Sequence, residues 1–329
     1  MPLLQRFLPS VISAAEVYRR TAASCEIVVV DDGGTDHTDA WMTDVASCTA
    51  AVPVRLVRQD SNQGFGAAVN LGVRQAVHRL VFLLNNDVDV DPHAIGPLAS
   101  RFEDTPGLFG VHCRVLDFST GDEVGTGKMG GFSRGFLRVH RSYVTRGAAA
   151  GPRYSMFASG GSAMFDRQLF LTLGGFDPLF APFYFEDVEL SYRAWKRGFT
   201  VAYEPQSVVR HQFSSTIAPL AGRKVHQIGH RNRFLLHWIH LHDTRLCVSH
   251  ALWVVVLLLS SAAKPAIAIG FVSALRCLRV VQRRRSEEKR AATRTDGEIL
   301  ALFKNLSRRS DIRAYDDPSE LVERVHSTS

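Results

Sequence analysis

Two short apolar runs that each end in carboxylates constrain this chain more than any other feature. Glu26–Asp31 (EIVVVD) is β-branched and stops at Asp31-Asp32-Gly33-Gly34, and Leu80–Leu84 (LVFLL) stops at Asn85-Asn86-Asp87. Such runs are buried strands punctuated by turns. Between them lie a helical pattern over residues 35–46 with Thr35 placed to cap it, a short strand at Val54–Val57 and a helix over Gly66–Val77. Pro92 opens a further helix at its first turn, where the missing N–H costs nothing. This β-α-β-α-β-α alternation predicts an α/β fold with a mostly parallel, doubly wound sheet and helices on both faces. Ligands of such sheets sit beyond the carboxyl ends of the strands, which is where both acidic clusters lie.

The 329 residues, 46% hydrophobic and 22% charged, leave room for a sizeable core. A formal net charge of +7 suits an anionic partner, either a phosphorylated substrate or an acidic lipid surface. Cys25, Cys48, Cys113, Cys247 and Cys277 are scattered without a C-x-x-C pair. That spacing indicates neither a zinc site nor a disulfide framework and points to a reducing, cytosolic setting. The N-terminus carries one arginine before an apolar run that Pro9 interrupts, a poor signal peptide. It fits an amphipathic helix better, with Leu4, Phe7, Leu8, Val11 and Ile12 on one face.

Three units follow along the chain: residues 1–222, 223–285 and 286–329. In the first, residues 117–153 are rich in Gly, Arg and Ser and form an irregular insertion with a hairpin. A helix through Arg197 ends at Gly198, and Thr200–Tyr203 and Val208–Val209 are extended. In the second unit Arg223–His240 is basic and helical, Leu246–Ala263 is strongly apolar, and Ala266–Val281 follows the Lys264-Pro265 break. Each apolar half is near or below the roughly 20 residues that span a bilayer, and Arg283-Arg284-Arg285 follow. The expectation is a helical pair lying in the membrane interface, with packing on the first unit and a true span as the competing readings. The third unit is a polar tail with one short helix near Ile299–Leu306 and a frayed end.

Five groups of residues carry chemistry. Asp87 and Asp89, one residue apart at a strand end, can converge on a hard cation that bridges phosphate oxygens, or they can be turn residues. Asp31-Asp32 can accept hydrogen bonds from a base or ribose, or simply close an Asp-Gly turn. Asn62-Gln63-Gly64-Phe65-Gly66 lacks the third glycine and following acid of a dinucleotide fingerprint. Its small residues at a helix start still suit close approach to a diphosphate. Glu186-Asp187 stand where a helix begins, so an ionised carboxylate there can act as general base or can merely favour the helix dipole. His211 follows a strand as a lone histidine, metal ligand or structural residue.

Taken in order, these motifs resemble glycosyltransferase family 2, the inverting enzymes of Rossmann-like GT-A fold. The match runs from about residue 3 to about residue 240 through VVVDDGGTD, NQGFGAAVN, LLNNDV, GGFDPLF…FYFEDVELSYRAWKRG and VVRHQFSST. The resemblance implies that Asp32 binds the nucleoside base and that Gly64, Asn85 and Asn86 help hold the nucleotide sugar. It implies Asp87 as the metal-binding acid. Asn85 replaces the family's first Asp, as in the branch of rhamnosyl- and galactofuranosyltransferases, where Asp89 and His211 would complete the metal site. Asp187 corresponds to the general base, and Glu186 to a residue that holds an acceptor hydroxyl. A mixed oxygen and imidazole site favours manganese over magnesium. The implied donor is a UDP- or dTDP-linked sugar and the acceptor a glycan or lipid-linked hydroxyl. An anionic membrane surface on the cytoplasmic side is a further partner, and no nucleic acid is expected. Family members start with a strand ahead of the first helix, so the resemblance also implies a missing strand between Ile27–Asp31 and Val81–Leu84.

Competing functions are a nucleotidyltransferase, a phospho-receiver domain and an inactive, membrane-attached sugar-nucleotide-binding protein. The first lacks its glycine-rich, Lys- or Arg-bearing loop, and the second leaves residues 186–211 unexplained. Turnover separates the third.

Overall fold

A computed structural model describes residues 1–21, 23–48, 52–145, 153–212 and 222–316. Pro2 sits in the first turn of α1 (Pro2–Arg19), which runs on through Pro9 and buries Phe7, Leu8, Ala14 and Ala15. The expected alternation follows as β1 (Ile27–Asp31), α2 (Thr38–Cys48), β2 (Val54–Arg58), α3 (Phe65–Gln75) and β3 (Leu80–Leu84), then β4 (Val88–Val90) and α4 (Ile95–Asp104). Helix α2 begins at Thr38 instead of after Thr35, because Asp36 Oδ1 accepts from the Thr38 N–H at 3.2 Å and the Thr38 hydroxyl at 2.5 Å. Helix α4 likewise starts three residues past Pro92, after a turn in which the Ala94 N–H donates to the Asp91 carbonyl.

The long β5 (Leu108–Asp117) leads into short strands β6 (Glu123–Gly125), β7 (Gly127–Lys128), β8 (Gly131–Ser133), β9 (Phe136–Arg138) and β10 (Ser142–Thr145). The expected hairpin is the β8–β9 pair. Next come β11 (Ser162–Asp166), α5 (Arg167–Thr172), α6 (Glu186–Lys196) and β12 (Thr200–His211). The two extended pieces around Pro205 are one strand with a register shift between Glu204 and Val208, the kind of irregularity that accommodates a proline.

The main sheet has the order β3-β11-β5-β12-β4, with β6 beside β5. It is mixed, which corrects the mostly parallel sheet expected from the alternation. Only β12 runs parallel to β5 here; β11 enters from the opposite direction after the long excursion through β5–β10 and pairs antiparallel with both β3 and β5. Strands β1 and β2 form a separate parallel pair. Among the described residues β1 and β3 do not pair with each other.

The C-terminal third is helical: α7 (Arg223–His240), α8 (Thr244–Leu259), α9 (Pro265–Leu275), α10 (Leu278–Ala291) and α11 (Asp296–Ser307), then β13 (Ile312–Tyr315) against β10. The stretch that looks like a polar tail contributes Ile299, Phe303, Leu306 and Tyr315 to the core. The frayed end expected there falls on residues 317–329, outside the described ones. No single helix among the described residues is long and apolar enough to cross a bilayer. The α9–α10 pair passes by combined length and composition but bends by 71°. Helices α8 and α9 leave Leu252, Val255, Val256, Leu259, Ile269 and Val272 exposed, Leu259 by 79%.

Candidate active site

The two strand-end acidic clusters have different fates. Asp32 Oδ1 accepts from the Gln59 amide at 2.6 Å and the Gln63 N–H at 2.7 Å, and Oδ2 from the Gly64 N–H at 2.8 Å. Its carboxylate therefore ties the end of β1 to the start of α3, and Gly64, at φ +89°, makes the left-handed turn that glycine tolerates. Asp31 accepts from the Gly34 N–H and pairs with Arg58.

Asn85, Asn86 and Asp87 form the turn between β3 and β4. The Asn85 N–H donates to the Gly161 carbonyl, and a Cβ on Gly161 would lie 2.6 Å from the Asn85 amide, so the Asn85 side chain lies directly against this glycine. Asn86 is exposed and Asp87 buried. The ladder that sets His211 opposite Val88 brings the His211 Nε2 to 2.9 Å from Asp87 Oδ1. Asp89 instead stands opposite Arg210 and pairs with its guanidinium at 3.5 Å. No group of three or more His, Cys, Asp or Glu suited to a metal ion occurs among the described residues. Asp87 and His211 set a carboxylate oxygen and an imidazole nitrogen side by side, a donor pair whose chemistry fits a divalent cation. Asp89 does not join them. The Phe213–Thr216 part of the late-histidine segment lies outside the described residues.

Glu186 and Asp187 open α6 behind a strained turn. Tyr184 and Phe185 both take positive φ, +73° and +72°, rare for residues with bulky side chains and typical of functional sites. Asp187 accepts from the Gly160 N–H at 3.2 Å and its neighbour Val188 N–H at 2.8 Å. Gly160 adjoins Gly161, so one short segment links the acid pair to Asn85. Burial raises the Asp187 carboxyl, while its N–H donors and the positive charge of Lys128 pull it back. Burial, then the Asp187 charge, pushes Glu186 up to about 8. Glu186 Oε2 is buried without a hydrogen-bond partner. Burial and the Asp187 charge thus favour a protonated Glu186, while at Asp187 the N–H donors and Lys128 oppose the burial that raises it.

Several positioning residues escape sequence reasoning. Asn232, fully buried on α7, turns its amide N–H₂ toward the carbonyls of Phe180, Phe183 and Tyr184 at 2.6–3.0 Å and so holds the strained turn. An asparagine in the apolar stripe of a basic helix is the only signal for it. Asn70 clamps α3 to Phe176 through both its amide groups. Glu189, one turn into α6, pairs with Arg193 at 2.6 Å and His240 at 2.8 Å. Burial would raise it, but Arg193 and His240 outweigh burial and hold it at about 2. Lys128 donates to Ser142 at 3.1 Å, and burial lowers it to about 8 despite the nearby Asp187 charge.

The description Glycosyl transferase family 2 belongs to the family model that matches residues 2–174. A putative polypeptide N-acetylgalactosaminyltransferase 13 of Drosophila melanogaster is 26% identical over 202 residues, 57% of this chain and 36% of that protein. An N-acetylglucosaminyl-diphospho-decaprenol L-rhamnosyltransferase of Mycobacterium tuberculosis is 27% identical over 234 residues, 64% of this chain and 72% of that protein. The chain spans about a third of the length of the N-acetylgalactosaminyltransferases of Drosophila that it matches, 36% and 30%. Among solved structures, GalNAc-T7 with UDP, GalNAc and Mn2+ superposes with a TM-score of 0.53 at 18% identity, over 67% of this chain and 42% of that one, a likeness of fold.

Proposed function

The chain belongs to glycosyl transferase family 2 and has the GT-A fold, and from that premise we propose that it transfers a sugar with inversion from a UDP- or dTDP-linked donor to an acceptor hydroxyl. The observation that carries this reading is the acid pair Glu186–Asp187, joined through Gly160 and Gly161 to the Asn85–Asp87–His211 cluster. Asp187 takes the proton of the attacking hydroxyl: burial raises its carboxyl and so its proton affinity, while its N–H donors and Lys128 still support the ionised form. Glu186, still protonated, donates a hydrogen bond that orients the acceptor or its neighbouring oxygen. The hydroxyl oxygen attacks the anomeric carbon from the face opposite the leaving diphosphate, so one displacement inverts the centre. Asp87 and His211 would hold a divalent cation, manganese or magnesium, which when bound offsets the charge growing on the diphosphate. Asp32 and Gly64 shape the nucleotide pocket by fixing the loop before α3.

Residues 1–222 act as the catalytic unit and 223–285 as an interfacial segment, and of the last unit, 286–329, α11 and β13 support the catalytic unit by packing on α6, β8 and β10. The exposed apolar faces of α8 and α9, followed by Arg283-Arg284-Arg285, support docking on the anionic cytoplasmic face of a membrane. The name of the mycobacterial relative supports a lipid-linked acceptor and a deoxysugar donor. Calorimetry with UDP and dTDP tests the donor site. Binding that requires manganese or magnesium and disappears in Asp87→Ala is expected; a folded protein that binds neither nucleotide would refute the reading.

A further inference from the structure

Beside the acid pair lies a second cavity, of about 600 Å³, that the donor site does not use. Tyr184 and Phe185, which lead directly into Glu186, form one wall; Arg138 and His140 come from the end of β9 and beyond, and His230 and Arg233 from α7. His226 completes a lining with five basic side chains and no carboxylate. The Arg233 guanidinium lies 4.0 Å from the centre of the Phe136 ring, and the His140 and Phe185 rings meet edge-on at 6.1 Å. Burial and the like charge of Arg138 both act to lower Arg233, and burial followed by Arg233, His226 and Lys264 lowers His230. Arg138 also pairs with Asp316 at 4.0 Å, a residue outside the lining. The Arg138 and Arg233 guanidiniums thus oppose each other, and burial with the surrounding cations favours neutral His140 and His230, so an entering anion relieves the first pair and favours protonation of the second.

We infer that this cavity receives the phosphate or diphosphate of a lipid-linked acceptor and places the acceptor hydroxyl against Glu186–Asp187. The inference rests on the proposed transferase reading and adds the acceptor's chemistry to it. Arginine forks match phosphate oxygens, and the volume admits a diphosphate with its first sugar. The donor-side residues Asp32, Asn85, Asp87 and His211 are absent from the lining, which separates this anion site from the donor's own diphosphate. A lipid carrier follows from what adjoins the cavity. Helix α7 packs along α9, and the β8–β9 hairpin rests on α8, where a Cβ on Gly135 would meet that of Trp253 at 2.5 Å. The outer faces of α8 and α9 are the exposed apolar surface, so a chain leaving the cavity finds that surface or the bilayer it docks on.

Binding of farnesyl diphosphate, farnesol, inorganic diphosphate and dTDP with manganese, measured on the full chain, tests this. Farnesyl diphosphate should bind more tightly than farnesol or inorganic diphosphate. Arg138→Ala and His230→Ala should each weaken farnesyl diphosphate about tenfold, as loss of a charge-assisted hydrogen bond does, with dTDP binding unchanged. Arg138 is exposed, so its variant keeps the test open should the α7 variant not fold. Equal affinity for farnesol, or no response in the variants, would overturn the phosphate site. Inorganic diphosphate binding as tightly would overturn the lipid carrier, and parallel loss of dTDP would assign the cavity to the donor. Wild-type protein that binds farnesyl diphosphate but no nucleotide would sink the transferase reading and leave the cavity's ligand standing.

Discussion

Asp296 should be among the most costly residues in the chain to remove, although it lies in a stretch of sequence that looks like a solvated tail. Its carboxylate is wholly buried and accepts from the Tyr192 hydroxyl at 2.7 Å, the Lys196 ammonium at 2.9 Å, and the His242 and Asp243 N–H groups at 2.7 and 2.9 Å. Lys196 is itself 1% exposed. Asp296→Ala would leave that ammonium without its counter-ion and three donors unpaired. Breaking a buried pair by removing one partner costs about 3–5 kcal/mol. Against a total stability of about 5–15 kcal/mol that is a large loss. Lys196→Met/Asp296→Leu should recover part of it, because the desolvated charge goes with its partner while the Tyr192 hydroxyl and the two N–H groups stay unpaired. Urea unfolding followed by tryptophan fluorescence measures both, with an unchanged slope as the sign that only stability moved. The pH dependence has a definite sign. Burial alone would raise the Asp296 carboxyl, but Lys196, Tyr192 and the backbone donors hold it below its ordinary value. Its contribution is therefore present above the unfolded carboxylate pKa and fades as pH falls through the folded one. A loss under about 1 kcal/mol for Asp296→Ala at neutral pH would refute the reasoning, since about 1 kcal/mol is the worth of an exposed pair.

Asn232→Ala should lower kcat by about 100-fold, the scale of a misplaced catalytic group, because three carbonyls of the turn before Glu186 lose their donor. Steady-state turnover beside a thermal melt checks it, and an unchanged kcat would show that the turn holds itself. Glu186, raised to about 8 by burial and by Asp187, favours the folded state while protonated, so its effect on stability is lost as pH climbs from the unfolded value toward 8. Glu186→Gln should flatten that decline by a few kcal/mol at most, read from melting temperatures at acid and alkaline pH; parallel profiles would argue against a raised Glu186. Leu259→Asp, at the most exposed apolar position of α8, should weaken flotation with anionic vesicles about tenfold or more. Equal flotation of variant and wild type would place membrane contact elsewhere.

Local pattern was enough to mark where strands and helices lie, because periodicity and turn residues report forces acting within a few positions. Leu80–Leu84 and Arg223–His240 come out at the boundaries read from residue pattern alone. Motif order along the chain was likewise enough for the family, and strand-end acids pointed to the region of the site. What each acid touches is a different matter. Asp87 and His211 meet across 124 residues because β4 and β12 share a ladder, and that same ladder hands Asp89 to Arg210. Asp32 turns inward to the Gln63 and Gly64 N–H groups, and the direction of β11 makes the sheet mixed. Asn232 and Asp296 have no readable motif, since their roles depend on which distant carbonyls or cations fold against them. A carboxylate's partner is set by whichever segment packs next to it, and that proximity exists only once the sheet and its helices have closed around the core.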